Sequence, residues 1–186
     1  MSMSKTGLFA VLAAAALAAG IAAVSGRTQE GPNLGTPATP EQIAGWDISI
    51  PVDGAGLPQG SGTGRQGAEV FAEKCASCHG LDAQGRSAEP LVGGIGTLAA
   101  EYPDQTVGSY WPYATTLFDY IRRSMPPQAP FSLSADEIYA VSAYLLARNG
   151  IIGPDEDVNA ATLPKIEMPN RNGFIQIYKE GKEAMP

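Results

Sequence analysis

The residues best equipped for chemistry stand five in a row: Cys75-Ala76-Ser77-Cys78-His79. At helical spacing, side chains three apart share a face, so both sulfurs can reach one edge of a flat ligand while the adjacent imidazole points at its centre. That is the attachment pattern of a c-type haem, in which the cysteines form thioether bonds and the histidine binds the iron. Three other chemistries use the same residue types. A disulfide between Cys75 and Cys78 would close a tiny loop and stabilise little. A thioredoxin-like redox pair belongs beside a βαβ pattern, and none surrounds this motif. A zinc site needs four ligands, whereas the whole chain holds 2 Cys and 1 His. The sequence therefore predicts one covalent haem c.

The same count constrains the sixth position on the iron. With His79 the single histidine, a second imidazole would have to come from another protein. Past the initial segment the thioethers are Met125, Met168 and Met185. Met125 precedes Pro126, which biases it to an extended backbone suited to a loop crossing the far face of the haem. Met168 lies beyond the last predicted helix in a stretch without evident scaffold, and Met185 is next to the end. The reading is a His79/Met125 pair. The alternative is an open sixth site, which would make the protein a haem enzyme or a ligand-binding haem protein.

The elements that must position these residues are helices. Gly67, Val70, Phe71 and Cys75 recur on one face and predict a first helix of about ten residues starting near Arg65. A second is predicted over 116–124, with Leu117, Phe118 and Ile121 inward, ended by Pro126 and Pro127. The third has the strongest start signal. Ser134-Ala135-Asp136-Glu137 is a capping box, and Leu133 and Ile138 stand where a hydrophobic staple would. Its apolar face runs through Val141, Tyr144 and Leu145, and Arg148 and Asn149-Gly150 supply the stop.

On either side the periodicity disappears. Segment 26–64, rich in Gly, Pro, Ser and Thr, reads as an extended arm with one apolar patch around Trp46, Ile48 and Ile50. Segment 151–186 reads as a second arm. The 22 Gly and 15 Pro of the 186 residues agree with a small core and much irregular chain. The prediction is an all-α domain over 65–150 between two arms.

At the N-terminus, Lys5 precedes an Ala/Leu-rich apolar run over 7–24, followed by Ser25-Gly26-Arg27. This is the layout of a secretory signal, predicted to be removed after Ser25 and to deliver the protein to the periplasm. Uncleaved, the same run would anchor the chain to a membrane. The formal charge of −7 excludes nucleic acid as a partner and favours a protein with a basic docking face.

Over 64–150 these residues resemble class I cytochromes c. The resemblance implies that the first and last helices pack together beside the haem, with Gly67 and Phe71 at the contact on one and Tyr144 on the other. It also implies that the loop at Pro90-Leu91 offers the histidine's Nδ1–H a backbone carbonyl. A narrower likeness, carried by Gly108-Ser109-Tyr110-Trp111-Pro112-Tyr113, by Phe118-Asp119-Tyr120-Ile121-Arg122-Arg123, and by Leu163-Pro164-Lys165-Ile166-Glu167-Met168-Pro169-Asn170-Arg171-Asn172-Gly173-Phe174, is to the cytochrome subunits of molybdenum sulfite and sulfane dehydrogenases. Sulfane dehydrogenase subunits are usually dihaem, so a single C-x-x-C-H fits the monohaem sulfite dehydrogenase type better. That group implies an electron carrier, taking electrons from a molybdopterin dehydrogenase subunit and passing them to a terminal oxidase or second cytochrome. Trp111, Tyr113, Arg122 and Arg123 are candidate donors to the haem propionates, whose charge needs partners if partly buried. Equally, the aromatics fit a core and the arginines a solvated helix end.

Overall fold

A computed structural model of the chain describes residues 34–175. The signal-like segment and Met185 lie outside the described residues. Among those described, no helix is long and apolar enough to cross a membrane. The chain divides into two units, at Trp46 and Asp47. In the first, α1 spans Pro40–Trp46, with none of its residues buried. It corrects the reading of a wholly irregular arm. Thr39 and Gln42 form a reciprocal cap (2.8 and 3.3 Å) with Pro40 at the first helical position. Such a start depends on polar residues and leaves no apolar period to detect.

The second unit contains β1 (Ser61–Gly62), α2 (Gly64–Lys74), the single turn α3 (Ala76–His79), α4 (Ala114–Ser124), α5 (Ala135–Arg148), β2 (Val158–Asn159) and a 3-10 turn at Leu163–Lys165. It is the predicted all-α fold. Thr63 and Gln66 cap α2 reciprocally, and Ser134 and Glu137 do the same for α5. Leu133 and Ile138, the staple residues, are both buried.

Helices α2 and α5 meet at a point where there is no room for side chains. A Cβ on Gly67 would overlap the Ala140 carbonyl, and one on Gly62 would lie 2.5 Å from the Ala140 nitrogen. One turn along, the rings of Phe71 and Tyr144 pack with centroids 4.9 Å apart. The interhelical contact expected from the family resemblance is therefore present. Phe118 and Tyr139 fill the centre between α4 and α5, with centroids 4.5 Å apart.

Both flanks read as arms contribute to this core. β1 pairs antiparallel with β2, Gly62 opposite Val158. Val158, Leu163 and Met168 of the C-terminal flank and Ile50 of the N-terminal one are buried in it. Trp46, expected beside Ile48 and Ile50, is 86% exposed.

Candidate haem site

The C-x-x-C-H motif begins where α2 ends. The Cys75 amide donates to the Phe71 carbonyl (2.9 Å), and the chain then re-enters one helical turn in which the His79 amide donates to the Cys75 carbonyl (3.0 Å). Gly80 ends that turn at φ +79, a conformation open to glycine. The following loop folds back and satisfies the turn's free carbonyls: Gly85 N–H donates to His79 (2.8 Å) and Ala88 N–H to Cys78 (3.0 Å). One motif is thus fixed from both sides, by a helix and by a loop.

Cys75, Cys78 and His79 line one cleft of about 340 Å³, and Met125 lines it too. The remaining wall is mainly apolar: Phe71 from α2, Leu91 from the loop, Tyr120 and Ile121 from α4, and Val141 and Leu145 from α5. Met125 is the C-cap of α4, in the extended conformation expected before proline (φ −119, ψ 139). Its amide donates to the Ile121 carbonyl at 3.0 Å. Met168, the rival thioether, is buried in the core and does not line this cleft.

Nδ1 of His79 lies 3.2 Å from the carbonyl oxygen of Glu89. The family resemblance pointed to a carbonyl of the Pro90-Leu91 loop; the acceptor is the residue just before it. Pro90 restricts Glu89 to extended backbone and does not itself line the cleft. With Nδ1 committed to a carbonyl, the other ring nitrogen, Nε2, is left for a metal.

Burial pushes the Cys75 thiol up to about 11, with a smaller upward push from Cys78 and an opposing one from Lys74. A thiol so protonated is a poor redox nucleophile, which argues against a thioredoxin-like role. Among the described residues no group of three or more His, Cys, Asp or Glu could hold a metal ion. The residues present fit a haem: two thiols, an oriented imidazole and a thioether converge on one apolar cleft.

The other candidates lie outside the cleft wall. Trp111 packs edge-on against Tyr120, centroids 5.5 Å apart, and so reaches the cleft through that neighbour. Tyr113 carries the Arg171 guanidinium over its ring at 5.5 Å. Arg122 donates to the Ile48 carbonyl (3.4 Å), and Arg123 pairs with Asp119 (2.9 Å). Both arginines are thus engaged by the chain itself rather than standing as a solvated helix end.

Two features escaped the sequence reading. Asn149, predicted as part of a helix stop, also accepts from Gly93 N–H (3.0 Å) and donates to the Leu91 carbonyl (3.1 Å), tying the cleft loop to α5. Lys74, at the cleft rim, bonds Glu137 of α5 at 2.5 Å. Its position immediately before Cys75 was the only signal available.

This fold around this cleft is that of a c-type cytochrome. A family model described as cytochrome c oxidase, cbb3-type, subunit III matches residues 62–145. The crystal structure of the sulfane dehydrogenase SoxCD from Paracoccus pantotrophus contains a chain 43% identical to this one. The match has a TM-score of 0.72 and covers 77% of this chain and 71% of that one. Among curated proteins no significant match was found. The chain belongs to the c-type cytochrome family, with haem c as its cofactor, and the resemblance to sulfane dehydrogenase read from the sequence holds.

Proposed function

We propose that the protein is a periplasmic monohaem electron carrier that accepts electrons from a molybdenum sulfite or related sulfur-compound dehydrogenase and passes them toward the respiratory chain. In this reading Cys75 and Cys78 would hold the haem covalently, and His79 and Met125 would bind its iron. The observation that carries the reading is the convergence of those four side chains on one apolar cleft. What the haem supplies when bound is a one-electron couple. The Glu89 carbonyl orients the His79 ring, and Met125 on the iron would leave no open position for a substrate, which suits a carrier of electrons. Binding of the iron by the Met125 thioether and the His79 imidazole would raise its reduction potential, as suits an acceptor for a dehydrogenase. Phe71, Ile121, Val141 and Leu145 line the cleft with apolar surface that would limit water at the haem.

The choice of donor is supported by the 43% identity to a chain of the SoxCD structure and by the single C-x-x-C-H, which favours the monohaem sulfite dehydrogenase type. Export is supported by the signal-like run over 7–24. The test is reduction of the purified ferric protein by sulfite, and separately by thiosulfate, with a molybdenum dehydrogenase from the same cells. Reduction dependent on that enzyme is expected. Reduction by unrelated dehydrogenases alone would remove the assignment of donor. For export, osmotic shock should release a protein whose N-terminus is Gly26.

A further inference from the structure

Helix α4 delivers Met125 to the cleft, and its three sides face different surroundings. Tyr120 and Ile121 line the cleft, while Leu117 and Phe118 are buried in the core. The third side carries Thr115, Asp119, Arg122 and Arg123, and segment 48–52 runs along it in the opposite direction. The Ile50 amide donates to Asp119 Oδ1 (3.2 Å), Arg123 donates to Asp119 Oδ2 (2.9 Å) and to Ser49 Oγ (3.0 Å), and Arg122 donates to the Ile48 carbonyl (3.4 Å). Near the helix start, Thr115 Oγ1 donates to the Val52 carbonyl (3.5 Å). Asp119 is the hub: one oxygen takes the strap's backbone and the other the arginine that holds the strap's side chain. Ile50, beside it, is buried.

We propose that Asp119 is a positioning residue for the Met125 thioether, locking α4 to the 48–52 strap so that the helix end which carries the methionine cannot swing out of the cleft. The proposal rests on Met125 being the sixth ligand. The physical reason lies in where the links fall. Arg122 and Arg123 are in the last turn of α4, and Met125 follows directly as its C-cap. Ile121 is buried in the same last turns, and Met125 packs against the core beside it. Last turns fray readily because their carbonyls have no helical partners. Charge-assisted bonds in a half-buried setting are the stronger kind, and removing the Asp119 carboxylate loses the link to the Ile50 amide and the one to Arg123 together.

The readout is the affinity of the ferric holoprotein for imidazole, which binds only when the methionine has left the iron. Apparent affinity then scales with the fraction of protein in the open state. Asp119→Ala should tighten imidazole binding about tenfold, while Asp119→Asn, which keeps an acceptor for the Ile50 amide, should fall between it and the parent. Gly67→Ala serves as a control that weakens the fold away from α4, and its imidazole affinity should stay within about twofold of the parent. Met125→Ala tests the ligand assignment separately: retention of the far-red thioether-to-iron band there would show that another group is the ligand. If that band is lost but Asp119→Ala binds imidazole as the parent does, the positioning role is overturned. Equal tightening in Gly67→Ala and Asp119→Ala would overturn it too, since general loosening would then suffice. Should Asp119→Ala fail to fold, Arg123→Gln cuts only the outer links and is read in the same way.

Discussion

Gly67 of α2 lies against Ala140 of α5 so closely that a Cβ on the glycine would overlap the alanine's carbonyl oxygen. Two effects oppose each other in Gly67→Ala. Helix propensity would favour alanine by about 1 kcal/mol. Overpacking at a rigid backbone contact costs about 1–3 kcal/mol, and the obstacle here is a carbonyl that cannot turn aside. The clash should win, leaving a net loss of about 1–2 kcal/mol in denaturant melts of the holoprotein. An equally stable Gly67→Ala would mean that the helices cross elsewhere.

Replacing Cys75 and Cys78 together by Ala should abolish covalent haem, as read on denaturing gels stained for haem. The chain should also fold poorly. Phe71, Ile121, Val141 and Leu145 face the cleft, and without a porphyrin against them a small domain loses much of its apolar contact. A compact, haem-free double variant would show that the protein core suffices alone.

Helices α2 and α4 were legible because each is amphipathic, and α5, buried on most of its sides, because Ser134 and Glu137 announce its start. Cys75, Cys78 and His79 were legible because their chemistry requires fixed spacing. What could not be read was the role of the flanks. Val158 enters the core through a two-residue strand, and Leu163 through a single 3-10 turn, too short for any period to emerge. The partners of Arg122 and Arg123 were hidden for another reason. A backbone carbonyl at Ile48 and a hydroxyl at Ser49 become acceptors only once the fold brings residues more than seventy positions apart together.

Met125→Ala should remove the far-red thioether-to-iron band and lower the reduction potential, with modest effect on folding, because Met125 stands at the cleft. Met168→Ala should do the reverse. Its side chain is buried in the core, so truncation should cost about 2–5 kcal/mol while the band and potential stay as they are. Absorption spectra and redox titrations of both variants decide the ligand. A band lost in Met168→Ala and kept in Met125→Ala would reverse the assignment.

The Lys74–Glu137 pair makes stability depend on pH at both ends. The bond to Lys74, and then the Ser134 amide, hold the Glu137 carboxyl below its ordinary value, while the bond to Glu137 holds Lys74 above its own. Glu137 therefore stabilises fully above the ordinary carboxylate value of about 4.3 and ceases to do so as pH falls through its depressed one. Lys74 stabilises fully below about 10.4, and its contribution is lost as pH rises through its raised value. Glu137→Gln keeps an acceptor for the cap and removes the charge. Melting temperatures of parent and variant should differ by a constant few degrees between about pH 5 and pH 10 and converge outside that window. A difference that persists unchanged at pH 2 would place its origin in the cap rather than in the ion pair.

Deleting residues 163–186 asks whether the C-terminal flank serves the fold or a partner. Within the described residues it serves the fold. Leu163 and Met168 are buried, Asn170 donates to the Tyr110 carbonyl at 2.7 Å, Arg171 covers the Tyr113 ring, and Phe174 packs edge-on against Tyr110 at 5.2 Å. Leu163 alone, truncated to Ala, should cost about 2–5 kcal/mol. That is a large part of the margin of a small domain. The deletion should therefore melt far earlier than the parent, and Leu163→Ala should reproduce part of that loss without shortening the chain. Well below the melting temperature, the folded fraction of Leu163→Ala should accept electrons from the proposed dehydrogenase with an unchanged KM, since Leu163 does not line the cleft. If the deleted protein keeps its melting temperature and haem spectrum but shows a raised KM, the flank belongs to the partner's surface instead.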